Sequence, residues 1–173
     1  MNPPVDSIQF DSVPFDPRRY QDPMTIQRVL YNAKAVAVVG LSSNELRPSN
    51  FVGYYLKRHG YRVLPVNPRE SEVLGEKSFE SLVDLPEPID IVLVFRAPGA
   101  LPAIAAEAVE IGAGTLWCQF GVINEDGARI AESGGVTVVM DRCAKVEHAR
   151  YLGRMHWLGF NTQRITSVRG GLQ

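Results

Sequence analysis

The chain has 173 residues, within the range of a single domain able to bury a real core. Hydrophobic residues make up 45% of it, which excludes an intrinsically disordered protein. Eighteen Lys and Arg stand against 19 Asp and Glu, a formal charge of −1. That balance removes the electrostatic case for nucleic acid or an anionic membrane as the main partner, so any anion site must be local.

The opening Met1-Asn2-Pro3-Pro4-Val5-Asp6 lacks the basic and apolar regions of a signal peptide. No apolar run reaches the roughly 18 residues of a membrane span. The two cysteines, Cys118 and Cys143, form neither a disulfide framework nor a metal-knuckle spacing. A soluble cytoplasmic protein is expected.

Residues 1–34 read as an N-terminal arm and helix. The arm carries Pro3, Pro4, Pro14 and Pro17 and is expected to be extended to about Arg19. Met24 to Asn32 then place Ile26, Val29 and Leu30 at helical spacing, with Asp22 as cap and Pro23 at the first helical position.

From Ala35 strands alternate with helices. Ala35-Val36-Ala37-Val38-Val39 is a continuous apolar run ending at Gly40, the pattern of a central parallel strand covered on both faces. A helix follows from about Ser49 to His59 and stops at Gly60. Tyr61 to Val66 is the second strand, whose Pro65 argues against a fully laddered centre.

Leu82 to Leu85 predicts a short helical turn, and Ile89 to Val94 the third strand. Pro98 to Ile111 is an alanine-rich helix stopped by Gly112. Thr115 to Gln119 is the fourth strand, Asp126 to Ser133 a helix, Gly135 to Met140 the fifth strand, and Ala144 to Leu152 a last helix.

Repeated βα units of this length predict a Rossmann-like, doubly wound α/β domain over residues 35–152. Its five parallel strands are expected in the order 3-2-1-4-5, with helices on both faces. Residues 153–173 read as a tail whose Trp157 and Phe160 pack back on the domain.

In such a sheet ligands bind beyond the carboxyl ends of the strands, near the switch in strand order. After the first strand, Gly40-Leu41-Ser42-Ser43-Asn44-Glu45-Leu46-Arg47 offers a tight turn, exposed amides and two hydroxyls ahead of a helix N-terminus. Arg47 adds a charged fork. The G-x-G-x-x-G dinucleotide fingerprint is absent.

After the second strand comes Asn67-Pro68-Arg69, where NAD enzymes usually carry an acid for the ribose hydroxyls. An arginine there favours a phosphate on the adenosine ribose, a feature shared by NADP and coenzyme A. The other reading is a proline turn with a solvated arginine. After the third strand, Phe95 and Arg96 could border an adenine, although for Phe95 on its own a buried aromatic closing the strand is the plainer reading. Gln119 is a polar group at the same edge, and Trp117 reads as core.

These loops together resemble one family. Val38-Val39-Gly40-Leu41-Ser42, Pro65-Val66-Asn67-Pro68, Gly75-Glu76-Lys77, Val94-Phe95-Arg96, Trp117-Cys118-Gln119-Phe120-Gly121-Val122 and Met140-Asp141-Arg142-Cys143 occur in order and at similar spacing. They look like the stand-alone CoA-binding domain proteins, which are similar to the N-terminal domain of the succinyl-CoA synthetase alpha subunit.

The resemblance implies coenzyme A as the ligand. Gly40, Leu41, Ser42, Ser43 and Arg47 would take the pyrophosphate, and Asn67, Pro68 and Arg69 the phosphoribose. Phe95 and Arg96 would border adenine, and Gln119 would lie nearer the pantetheine route. The synthetase subunit has an acid in the loop corresponding to Gln119, and its phosphohistidine domain has no counterpart here. Ligase chemistry is therefore not implied.

Catalytic candidates are few. Cys143 starts a helix, where the dipole would lower its pKa, and a mixed disulfide with the CoA thiol is a testable idea. Packing is the plainer role for Cys143. His148 lies five residues on, about 500° of helix rotation, so the two side chains diverge by roughly 140° and a dyad is not expected. The Glu147-His148 pair and His156 fail as a zinc set, because no further ligand has suitable spacing. Glu45, Glu70, Glu72 and Glu76 read as solvated loop charges.

The expected function is binding of CoA or acyl-CoA as a carrier, sensor or regulatory module. An NADP-dependent oxidoreductase and a partner subunit of an acyl-CoA ligase are the alternatives. A homodimer through Trp157 and Phe160 stays open.

Overall fold

The computed structural model describes residues 14–153. The first helix, α1 (Pro23–Asn32), begins as its sequence dictates: the Asp22 carboxylate accepts from Thr25 N at 2.8 Å, and Pro23 occupies the first turn. Then follow β1 (Ala35–Val39), α2 (Pro48–Arg58) and β2 (Arg62–Val66). A small hairpin, β3 (Glu72–Val73) and β4 (Glu76–Lys77), leads to β5 (Ile91–Val94) and α3 (Leu101–Glu110). The remainder is β6 (Thr115–Cys118), α4 (Glu125–Ser133), β7 (Thr137–Val139) and α5 (Ala144–Tyr151).

The five long strands form one parallel sheet in the order β2-β1-β5-β6-β7. The Rossmann-like α/β class is borne out, but the expected order 3-2-1-4-5 is not. In chain order of the five strands the sheet runs 2-1-3-4-5. Part of the reason is local. Pro65 has no N–H to give, so β2 belongs at an edge. Among the described residues its outer side makes a single bridge, to Phe79, whose N–H donates to the Pro65 carbonyl at 3.0 Å. Ile91 to Val94 are all buried and pair with β1 on one side and β6 on the other. The Asp90 carboxylate accepts from Lys34 N and Ala35 N at 2.8 and 2.9 Å, tying the start of β1 to β5.

Alternation along the strands divides the core in two. Ala37, Val39, Val92, Val94 and Leu116 face Leu101, Ala105, Ala128 and Ala131 of α3 and α4. Val36, Val38, Ile91, Leu93 and Trp117 face Ile26, Leu30, Val52, Leu56 and Ala144 of α1, α2 and α5. Each large side chain so buried contributes about 1.5–3 kcal/mol. Trp117 is core, as read, and its indole N–H donates to the Arg142 carbonyl at 2.7 Å.

Two local features depart from the sequence reading. Pro17–Tyr20 is a 3-10 turn rather than extended chain, because Tyr20 is drawn into the core and its hydroxyl donates to Glu132 at 2.9 Å. The β3–β4 hairpin escapes detection because its strands are two residues long. Its turn places Leu74, with φ 55°, ahead of Gly75, where Asn or Asp is the usual signal. The tail with Trp157 and Phe160, together with His156, lies outside the described residues.

Candidate functional site

The strand order sets the site. From β1 the chain turns one way to β2 and then crosses back to β5, so the β1–β5 boundary is the switch point. A cleft of about 670 Å³ opens there, within the size range of ligand pockets.

Gly40 makes the cleft floor. Its φ is +86°, and a Cβ at this position would lie 2.4 Å from the Phe95 carbonyl oxygen. Only glycine permits both the left-handed turn and that approach. Leu41 is then fully buried, with Gly53 of α2 packed so closely that a Cβ there would come within 2.9 Å of it.

The next turn is internally bonded. Ser42 N donates to Ser49 Oγ at 3.1 Å, and Asn50 Nδ2 donates to the Ser42 carbonyl at 2.9 Å. The loop is thereby fastened to the first turn of α2, whose N-cap residue Arg47 makes no side-chain capping bond. The positive end of α2 faces the cleft, where it favours an anion.

Asn67 joins the β1 and β2 loops. Buried, it donates from Nδ2 to the Leu41 carbonyl at 3.0 Å and accepts at Oδ1 from Arg69 N at 3.1 Å. Arg96 Nη2 reaches the same Oδ1 at 3.4 Å, and Ser78 Oγ donates to the Asn67 carbonyl at 3.1 Å. One amide side chain thus sets the spacing of three loops. Arg47, Arg69 and Arg96 all line the cleft.

Glu70 also lines it, and corrects the reading of that residue as a merely solvated charge. Its Oε1 accepts from Ser43 N and from Ser43 Oγ, each at 2.9 Å. Glu76 likewise has a partner, Lys57 Nζ at 3.0 Å. Both pairs join segments well apart in the chain, Ser43 with the β2 loop and α2 with β4, and nothing in local sequence announces them.

Among the residues singled out from sequence, Gly40, Ser42, Arg47, Asn67, Arg69, Phe95, Arg96 and Gln119 come together around the cleft. Leu41 packs in the core and offers only its backbone. Pro68 and Ser43 lie exposed beside the cleft, outside its lining. Sequence reasoning missed Ser49, Val52, Phe120 and Val122 as lining residues. Their positions depend on how α2 and the β6–α4 loop lean over the sheet.

Cys143, singled out from sequence as a thiol, also reaches the cleft. Burial pushes its thiol pKa up, outweighing the amides of Val146 and Lys145 at the start of α5. The expected lowering by the helix dipole is therefore overturned: desolvation dominates. His148 is occupied elsewhere, its Nδ1 3.0 Å from the Tyr55 hydroxyl. Burial, and secondarily His59, lower its pKa to about 4. Among the described residues no group of three His, Cys, Asp or Glu is placed to hold a metal, and no helix is long and apolar enough to cross a membrane.

An arginine-lined cleft at the switch point of a parallel sheet defines an α/β domain suited to a phosphorylated nucleotide ligand. The CoA binding domain family matches residues 34–149, most of the chain, and the chain belongs to that family. It is similar to YneT of Bacillus subtilis (strain 168), an uncharacterised protein, with 43% identity over 124 residues, 72% of this chain and 92% of that one. It is also similar to the ADP-forming acetate–CoA ligase II of Archaeoglobus fulgidus, with 28% identity over 107 residues. That match takes in 61% of this chain but only 16% of the ligase.

Among solved structures, a hypothetical protein from Pyrococcus horikoshii OT3 superposes with a TM-score of 0.75 at 36% identity, covering 76% of this chain and 93% of that one. A protein from Thermus thermophilus does so with a TM-score of 0.71 at 40% identity, covering 75% and 98%.

Proposed function

We propose that this chain binds coenzyme A or acyl-CoA in the β1–β5 cleft and acts as a carrier, sensor or regulatory module with no catalytic machinery of its own. The observation that carries the reading is the placing of Arg47, Arg69 and Arg96 along one cleft with the α2 N-terminus, Arg69 standing just after β2 while the neighbouring Glu70 carboxylate is turned onto Ser43. The pyrophosphate sits against the Gly40–Ser43 turn and the end of α2, with Arg47 beside it. Asn67, Pro68 and Arg69 hold the phosphorylated ribose, and Phe95 and Arg96 border adenine.

The ligase chemistry named for the Archaeoglobus relative belongs to a protein of which this chain matches a small part. A separate ligase-type partner chain would supply any such reaction. The raised thiol pKa of Cys143 and the engagement of His148 by Tyr55 support a binding role over nucleophilic catalysis. Arg69 suits the 2′-phosphate of NADP as well as the 3′-phosphate of CoA, which keeps a reductase as the second reading.

Calorimetric titration with CoA, dephospho-CoA and NADP tests both. CoA is expected to bind at least tenfold more tightly than dephospho-CoA, about 1.4 kcal/mol for the phosphate contact. Binding of NADP without CoA refutes the proposal. Arg69→Ala should weaken CoA and leave dephospho-CoA unchanged.

A further inference from the structure

Gln119 is a buried polar residue without an evident structural task. It is 5% exposed, forms part of the cleft lining, and its Nε2 has no hydrogen-bond partner among the described residues. An unpaired buried amide N–H is a standing cost to a fold, and a retained one calls for an acceptor from outside the chain.

Apolar side chains and a thiol line the cleft with it. Phe120 follows it, and the amide of Val122 closes a turn on the Gln119 carbonyl at 3.0 Å. Cys143 arrives from the neighbouring segment, which is joined to the end of β6 by Arg142 N donating to the Cys118 carbonyl at 3.3 Å. Phe120, Val122 and Cys143 all line the cleft. Burial keeps the Cys143 thiol protonated and hence a poor nucleophile.

Place in the sheet says which end of a ligand arrives there. Arg69 follows β2 and Gln119 follows β6, and β1 and β5 lie between those strands. Three strand spacings separate the two, about 14 Å. A long ligand with its charged nucleotide end at Arg69 and the α2 N-terminus lays its other end beside Gln119.

We infer that the β6 end of the cleft is a thioester-reading subsite. In it the Gln119 side-chain amide donates to the thioester carbonyl of an acyl-CoA whose apolar acyl group lies against Phe120 and Val122. This rests on the CoA reading above and deepens it: the ligand class is acyl-CoA rather than free CoA. The subsite holds the thioester intact, because Cys143, the thiol that lines the cleft, is protonated.

The test is calorimetry of the purified chain with acetyl-CoA and with ethyl-CoA, the thioether that lacks only the carbonyl oxygen. Acetyl-CoA should bind about fivefold more tightly, the size of one neutral hydrogen bond. In Gln119→Met that ratio should fall to about one. Equal binding of the two ligands by the wild-type chain, or a preference that survives in Gln119→Met, overturns the inference and leaves CoA binding standing. Failure of both ligands to bind overturns the CoA reading itself. Should Gln119→Met not fold, the wild-type comparison still decides.

Discussion

Replacing Gly40 by alanine asks whether the close approach of β1 and β5 is an energetic feature or only a geometric one. Two costs combine. The φ of +86° is left-handed, which costs an L-residue about 1–2 kcal/mol. The new Cβ would also stand 2.4 Å from the Phe95 carbonyl oxygen, a backbone atom that cannot rotate away. Relief requires the end of β1 to move, against the bonds Phe95 N to Val39 O at 2.9 Å and Gly40 N to Val66 O at 2.8 Å. Weakening those adds about 1–3 kcal/mol. The total expected is about 2–5 kcal/mol.

Gly60→Ala is the matched control. Its φ is +90°, yet nothing lies within 4 Å of the added Cβ, so only the conformational cost remains, about 1–2 kcal/mol. Urea unfolding followed by circular dichroism gives both values, compared at unchanged m. If the two variants lose equal stability, within about 0.5 kcal/mol, the contact at Phe95 carries no energy and the reasoning fails. Folded Gly40→Ala should also bind CoA more weakly than Gly60→Ala, since the displaced turn is the proposed pyrophosphate seat.

Two further outcomes follow from the geometry of the cleft. Asn67→Ala removes the donor to Leu41 O and the acceptor for Arg69 N, and should cost about 2 kcal/mol and loosen CoA binding; a neutral result in urea melts would show that the loops hold themselves. Glu70→Ala frees the Ser43 amide and hydroxyl and removes a negative charge beside the phosphate seat, so CoA affinity should rise about fivefold by calorimetry. Weaker binding would mean that the carboxylate shapes the loop rather than competing for it.

Stability should also fall in mild acid. The folded pKa of His148, about 4, lies below its ordinary 6.5, so the unfolded chain takes up the proton first. The contribution is complete above about pH 6.5 and declines as pH drops toward 4, by about 2 kcal/mol between pH 7 and pH 5. Buried Glu147, whose pKa is raised by burial, works in the opposite sense, so the comparison is with His148→Asn. An equal acid loss in that variant refutes the assignment.

Much of this protein is legible in one dimension. The apolar run of Ala35 to Val39, the cap at Asp22 and the glycine stops at Gly60 and Gly112 are local matters of burial and backbone freedom, and they mark the alternating elements of the α/β class. The loop residues that meet at the cleft are legible because a parallel sheet must gather its strand ends on one side. Coenzyme A as the expected ligand came from a family resemblance spread over several loops rather than from any one spacing.

Tertiary structure decided what depends on neighbours distant in the chain. Strand order was one such matter: Pro65 disfavours a central β2, but only pairing shows β5 beside β1. The charge state of Cys143 was another, because the helix start is local and the desolvation that outweighs it is not. The bond from Glu70 to Ser43 and the unpaired amide of Gln119 belong to the same kind. Local sequence governs which conformations each segment prefers, whereas burial and hydrogen-bond partnership are properties of the packed chain. The chemistry of this cleft rests on the second.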